Sequence, residues 1–222
     1  MVKKPAATPR REESLSRGRI IEAAIALLDE AGESGLTFRA LSQRLATGPG
    51  AIYWHVANKS ELLTAACDTI VARTMDAPLA DATPEDTIRA IALGMFDAID
   101  EHPWVGSALT HAPGQLPVIR ILERLGRQLQ ALGVPQACQW RTVSALLNYI
   151  LGVGGQNAAN RQFAQAEGLD RTEFLGSVAN AWSDLDPDDY PFARSVAGLF
   201  PDHDDREDFL FGVDLILRGV GT

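Results

Sequence analysis

Residues 36–63 constrain the chain more than any other stretch. They read Leu36-Thr37-Phe38-Arg39-Ala40-Leu41-Ser42-Gln43-Arg44-Leu45-Ala46-Thr47-Gly48-Pro49-Gly50-Ala51-Ile52-Tyr53-Trp54-His55-Val56, then, after Ala57, Asn58-Lys59-Ser60-Glu61-Leu62-Leu63. Thr37 suits a helix N-cap, and Leu41 and Leu45 repeat on one helical face. Pro49 suits the first position of a helix capped by Gly48. The pattern predicts two short helices joined by a tight turn, the second running Pro49 to His55, and a third helix starting at Asn58. The second helix is too short to be stable alone. Presented on a scaffold, with small residues first and aromatics last, it fits a DNA major groove.

Residues 17–63 resemble the helix-turn-helix domain of TetR-type transcriptional regulators. The resemblance rests on Leu36-Thr37-Phe38-Arg39-Ala40-Leu41, Ile52-Tyr53-Trp54-His55-Val56, Asn58-Lys59 and Leu62-Leu63, in register and without gaps. It implies a DNA-binding regulator in which Thr37, Tyr53 and Lys59 meet phosphates and Arg39 meets a base or phosphate. Gly48, Pro49, Gly50 and Ala51 would face the groove, with Trp54 and His55 toward the DNA backbone. Two positions depart from expectation. The family usually has Gly where this chain has Ala46, and an alanine in a left-handed turn costs about 1 kcal/mol, which predicts a shifted turn. Pro49-Gly50-Ala51 also lacks hydrogen-bonding side chains, so base reading falls to Arg39, methyl contacts and DNA shape.

The net charge of −9 looks wrong for a DNA binder until the chain is divided. Residues 1–60 hold nine Lys or Arg against six Asp or Glu, whereas residues 61–222 hold eleven against twenty-three. The acidic excess therefore belongs to the second part. Lys3, Lys4, Arg10, Arg11, Arg17 and Arg19 concentrate before or at the start of the first helix. There they either reach phosphates or the minor groove or belong to a solvated tail, since Pro5 and Pro9 promise no fixed structure. Hydrophobic residues make up 46% and charged residues 22%, which argues against disorder. No apolar run approaches the roughly eighteen residues of a membrane span, and no apolar stretch comes after the basic N-terminus, so a cytoplasmic protein without a membrane partner is expected. Cys67 and Cys138 lie far apart among apolar helix formers, the pattern of buried free thiols.

The periodicity predicts an all-α chain behind a flexible basic arm (1–16), and the resemblance implies its division into a helix-turn-helix domain (17–63) and a helical effector-binding and dimerisation domain (64–222). Helix one should run from about Arg17 to Ala31, closed by Gly32. Thr83-Pro84-Glu85-Asp86 opens another helix with cap, proline and first-turn acids. Pro103, Pro113 and Pro117 punctuate the chain beyond that helix, with Trp104, Leu109 and His111 in a short helix or turn. Val118, Ile121, Leu125 and Leu129 share one helical stripe, with Arg120, Arg124 and Arg127 on another face. Pro135 opens the longest helix, to about Phe163. Its Gly152, Gly154 and Gly155 each cost roughly 1 kcal/mol against alanine, which suggests close approach of a helix or ligand, or a kink. The acidic segment 184–208 has room for a helix from Pro187 to Leu199. A last helix, about Asp204 to Val220, carries Phe209, Val213, Ile216 and Leu217 on one stripe, broad enough to require a partner.

Pro191-Phe192-x-Arg194 and the run Asp208 to Gly219 extend the resemblance to the tetracycline-repressor branch, where the long and final helices pair in a dimer. In tetracycline-binding members a histidine holds the drug's metal. Here that position falls at Leu109, with Ile91 and Met95 where those members have asparagine and phenylalanine. The resemblance thus implies no metal or cofactor, but a largely apolar organic effector bordered by Ile91, Met95, Trp104 and Leu109 and oriented by His111, Asn148 and Gln156. No nucleophile elbow, zinc-protease motif, phosphate loop or dinucleotide fingerprint is present, and the chain is expected not to be an enzyme. The reading is a homodimeric repressor on a palindromic double-stranded operator, released by a small molecule. A regulator without an effector and, further off, a helical enzyme are the alternatives.

Overall fold

A computed structural model of the protein describes residues 15–75, 82–111 and 114–221. Lys3, Lys4, Arg10 and Arg11 of the expected arm, and Pro113, lie outside them. Eleven α-helices and two 3-10 turns, with no strand, make up the regular structure of the described residues. The chain divides into two compact units, with the boundary between Ala66 and Cys67.

The first unit, here the head, contains α1 (Arg17–Gly35), α2 (Phe38–Arg44), α3 (Pro49–Tyr53) and the start of α4 (Lys59–Met75). Ser16 caps α1 by accepting the Arg19 amide at 3.3 Å. The expected stop at Gly32 appears as a local break (φ 61°, ψ −167°), after which one more turn reaches Gly35. Ile20, Ala24 and Leu28 of α1 bury their stripe against Leu36, Leu41, Ile52, Val56, Leu62 and Ala66. Each large aliphatic side chain so buried stabilises the head by about 1.5–3 kcal/mol relative to exposure. The expected shift of the α2–α3 turn does not occur. Ala46 itself takes the left-handed conformation (φ 51°), and the Thr47 amide donates to the Ser42 carbonyl at 3.0 Å. Burial of Leu41 before the turn and Ile52 after it holds the register, and the exposed alanine carries the strain.

The second unit, the body, comprises α5 (Pro84–Glu101), α6 (Trp104–His111), α7 (Leu116–Ala131), α8 (Gln136–Ala166), α9 (Arg171–Ser183), α10 (Pro191–Ala197) and α11 (Asp205–Arg218), with the end of α4. Thr83 caps α5 by accepting the Asp86 amide at 3.1 Å. The central helix is α8, on which α5, α6, α7 and α11 pack. Their shared core holds Ile88, Ile91, Met95, Phe96 and Ile99 of α5, Leu109 of α6, Ile121 and Leu125 of α7, and Leu146 and Ile150 of α8. Of the three α8 glycines, only Gly154 marks a close approach: a Cβ there would lie 3.3 Å from Ile99 Cδ1, whereas Gly152 and Gly155 face open space. The helix stays unbroken and runs three residues past the expected end.

Helix α9 is absent from the periodicity reading, although Asp170 and Glu173 form a reciprocal capping box at its start, with bonds of 2.8 and 2.9 Å. In the acidic segment the helix is shorter than expected, Pro191–Ala197. Arg194 ties it back by donating to the carbonyls of Ser183 and Leu185 at the end of α9. The thiols differ from expectation as well. Cys67 is buried, and burial chiefly, with nearby Asp68, pushes its pKa up to about 12, whereas Cys138 is exposed.

The stripe on α11 also needs correction. Phe209 and Val213 are 1% and 0% exposed within this single chain, and Phe209 lies between Phe96 (4.7 Å) and Tyr149 (5.4 Å between centroids). Gly212 admits the Tyr149 ring where any side chain would collide with it. The Tyr149 hydroxyl then donates to the Phe209 carbonyl at 3.1 Å. Phe209 and Val213 are core residues, and Ile216 and Leu217 are half-buried. The apolar groups left outside are their neighbours Phe211 and Leu215, 59% and 53% exposed.

Candidate nucleic-acid interface

The head presents α3 by its N-terminal end. Gly48, Pro49 and Gly50 are exposed, Ala51 is half-buried, and Ile52 is the single fully buried side chain of the helix. The helix stops at Tyr53, two residues before the expected His55. Trp54 is its C-cap, and the His55 and Val56 amides both turn back to the Ile52 carbonyl. The side chain of Trp54 is 90% exposed and His55 is half-buried. An indole that large in water has no role in the head's own packing.

Tyr53 does not stand alone. Its ring stacks on Phe38, 4.3 Å between centroids and 8° from parallel, which pins the end of α3 to the start of α2. Periodicity could not find this pair, because neither ring belongs to the core stripe. The Thr37 hydroxyl oxygen accepts the Ala40 amide at 3.1 Å, capping α2 and leaving its proton free to donate outward. Arg39 is exposed two residues further on, and Arg44 on the same helix is tied to Glu30 of α1 by two hydrogen bonds. The hydrogen bond from Arg44 holds the Glu30 carboxyl below its usual range.

Helix α4 begins as expected. Asn58 accepts the Glu61 amide at 2.8 Å, and the Glu61 carboxylate accepts the Ala57 amide at 2.7 Å. That amide, and secondarily Arg17 at 3.1 Å, hold the Glu61 carboxyl below its usual range. Lys59 donates to the Glu33 carbonyl with one of its three protons, leaving two to meet another acceptor. One unit thus carries, among exposed or half-buried groups, the hydroxyls of Thr37 and Tyr53, the cations Arg39 and Lys59, and a helix start free of bulky side chains.

The body scatters the expected effector residues. Ile91, Met95, Trp104 and Leu109 are core, none more than 5% exposed. Asn148 and Gln156 lie on the exposed face of α8, Asn148 donating to Ser144 Oγ at 3.4 Å. A helix turn of 3.6 residues puts them on the side of α8 away from Leu146, Ile150 and Gly154, which corrects their assignment beside the apolar set. His111 is exposed, and its Nδ1 donates to the Ser107 carbonyl at 2.8 Å, a helix-end bond. Clefts do open among the described residues of the body, and two bear on ligand binding. One of about 380 Å³ lies among α8, α9 and α11, edged by the ion pairs Asp100–Arg161 and Arg171–Asp205 and floored by Phe174 and Leu175. The other, about 480 Å³, runs along α7 from Met75 past Leu116, Ile119, Arg120 and Arg124 to Arg127.

Comparison with known proteins agrees with the head's geometry. The family described as bacterial regulatory proteins, tetR family, matches residues 20–66. Tetracycline repressor protein class D of Escherichia coli is 27% identical over 210 residues, 92% of this chain and 88% of that protein. BioQ, solved with its double-stranded DNA operator, is 34% identical over 68% of this chain and 91% of its own, with a TM-score of 0.59. The transcriptional regulator SCO7222, a TetR from Streptomyces coelicolor, is 53% identical, with 93% of this chain and 98% of that one covered and a TM-score of 0.84. An unbroken helix-turn-helix motif in a folded head, joined to an all-helical body and alike over nearly its whole length to SCO7222, makes this chain a member of the TetR family of DNA-binding transcriptional regulators.

Proposed function

We propose that the protein is a homodimeric repressor that binds a palindromic operator and leaves it when a small organic molecule occupies its body. The observation that carries the DNA part is the exposed start of α3 flanked by Thr37, Arg39, Tyr53 and Lys59 in one compact unit. Gly48, Pro49, Gly50 and Ala51 approach base edges, and the hydroxyls and ammonium fix phosphates. Trp54 and His55 lie along the DNA backbone. In this reading residues 17–63 form the DNA-binding domain and residues 64–222 the effector and dimerisation domain. Dimerisation is assigned to Phe211 and Leu215 of α11 with the exposed face of α8, since both apolar side chains stay more than half exposed. ActR of Streptomyces coelicolor, alike in fold (20% identical, TM-score 0.75), has been solved with actinorhodin. A protein of this fold can therefore hold a small organic molecule.

The test is selection of bound duplexes from random DNA, followed by anisotropy titrations at several salt concentrations. Inverted repeats with half-sites about one helical turn apart are expected. Lys59→Ala should weaken binding to selected and random DNA alike and lower the salt slope by about one. Enrichment of no repeat, or a Lys59→Ala protein with unchanged affinity and slope, overturns the assignment of this face.

A further inference from the structure

Helix α7 turns its apolar stripe of Val118, Ile121, Leu125 and Leu129 inward and sets Arg120, Arg124 and Arg127 along the other side, three and four residues apart. All three arginines line the 480 Å³ groove. Two of them have carboxylate partners: Arg120 grips Asp68 of α4 with two bonds of 3.1 Å, and Arg127 meets Glu123 at 2.7 Å. Arg124 differs. Its Nε is buried and has no hydrogen-bond partner among the described residues. A buried donor without an acceptor is an unmet demand, and guanidinium planes match carboxylate, sulfate and phosphate oxygens. The rest of the lining is Glu123, already paired with Arg127, the amide of Gln128, and the apolar Met75, Leu116 and Ile119, the last two 54% and 50% exposed. This cationic lining occurs in the part of the chain with the large acidic excess, so repulsion of anions elsewhere directs them to it.

We propose that this groove is a binding site for a small amphiphilic organic anion, its acid group held by Arg124 and its apolar part lying over Leu116, Ile119 and Met75. Its role as the effector's seat rests on the repressor function proposed for the chain; the site itself does not. An acid group at Arg124 lies within one helical turn of Arg120 and competes with Asp68 for that guanidinium, which reaches α4, the helix that continues into the head.

The probe is 1-anilinonaphthalene-8-sulfonate, titrated by fluorescence into the full-length protein, with uncharged N-phenyl-1-naphthylamine as comparator and decanoate against decanol as competitors. One saturable sulfonate site per chain is expected, displaced by decanoate and not by decanol. Arg124→Gln should raise its dissociation constant at least tenfold, Arg124→Lys less, and both should leave the uncharged comparator unchanged. Unchanged circular dichroism and operator affinity confirm that the variants are folded. Absence of saturable binding, or equal sulfonate affinity in wild type and Arg124→Gln, overturns the proposal. Arg124-dependent binding of decanoate that leaves operator affinity unchanged upholds the anion site and defeats the effector reading instead.

Discussion

The head and the body solve the same packing problem and leave different remainders. The head commits one long helix, two short ones and the start of a fourth to one small core, and its most exposed large hydrophobic side chains are Tyr53 and Trp54, beside Thr37, Arg39 and Lys59. The body surrounds a 31-residue helix with a far larger core and still leaves Trp140, Phe192, Leu199, Phe211 and Leu215 more than half exposed. Aromatic groups in a basic setting with hydroxyls suit a polyanion. Aliphatic and aromatic groups in an acidic setting suit another protein surface. Exposure alone therefore says little, and the charge and polar groups around an exposed ring decide what it is for.

Three variants test that contrast. The largest effect is expected from Phe209→Ala, which empties a fully buried site between Phe96 and Tyr149 and should cost about 3–5 kcal/mol of stability in chemical denaturation. A loss under about 1 kcal/mol would return Phe209 to an interface role. Next, Phe211→Glu with Leu215→Glu places charges on the surface assigned to dimerisation. The dimer dissociation constant should rise by about a hundredfold or more in sedimentation, or about 2.7 kcal/mol, with the body still folded. A double variant that sediments as wild type would assign those side chains to plain surface. The smallest effect is a gain: Ala46→Gly relieves the left-handed alanine and should stabilise the head by about 0.5–1 kcal/mol, with operator affinity unchanged. Destabilisation by this change would mean that the turn differs from the one described.

How much of the molecule is legible in its sequence differs between the two parts for physical reasons. In the head, cap residues, turn and stripe lie within a few positions of one another, so Thr37, Pro49 and Asn58 announce their helices locally. In the body the decisive facts are meetings of distant residues. That Phe209 faces Phe96 and Tyr149 depends on how α5, α8 and α11 cross, and an apolar stripe looks alike whether its cover comes from the same chain or another. Spacing misplaces Asn148 and Gln156 for a related reason: it assigns both to one face of α8 without saying which face looks inward. Helix α9 is the avoidable omission, since Asp170 and Glu173 stand at capping-box spacing. The row of Arg120, Arg124 and Arg127 is visible in the sequence, but that the buried Nε of Arg124 has no hydrogen-bond partner among the described residues is not.

The stack of Tyr53 on Phe38 has a consequence for how fast the head lets go of DNA. A free tyrosine at the end of a five-residue helix samples several rotamers, and ordering such a side chain on binding costs roughly 0.5–1.5 kcal/mol. Here the ring is already held parallel to Phe38 before any duplex arrives. That conformational entropy is lost during folding and not at the moment of association, so in the proposed complex the hydroxyl would meet a phosphate preorganised. Loosening the stack, with the hydroxyl left in place, would lengthen no bond and remove no contact, yet it would shorten the residence time on DNA.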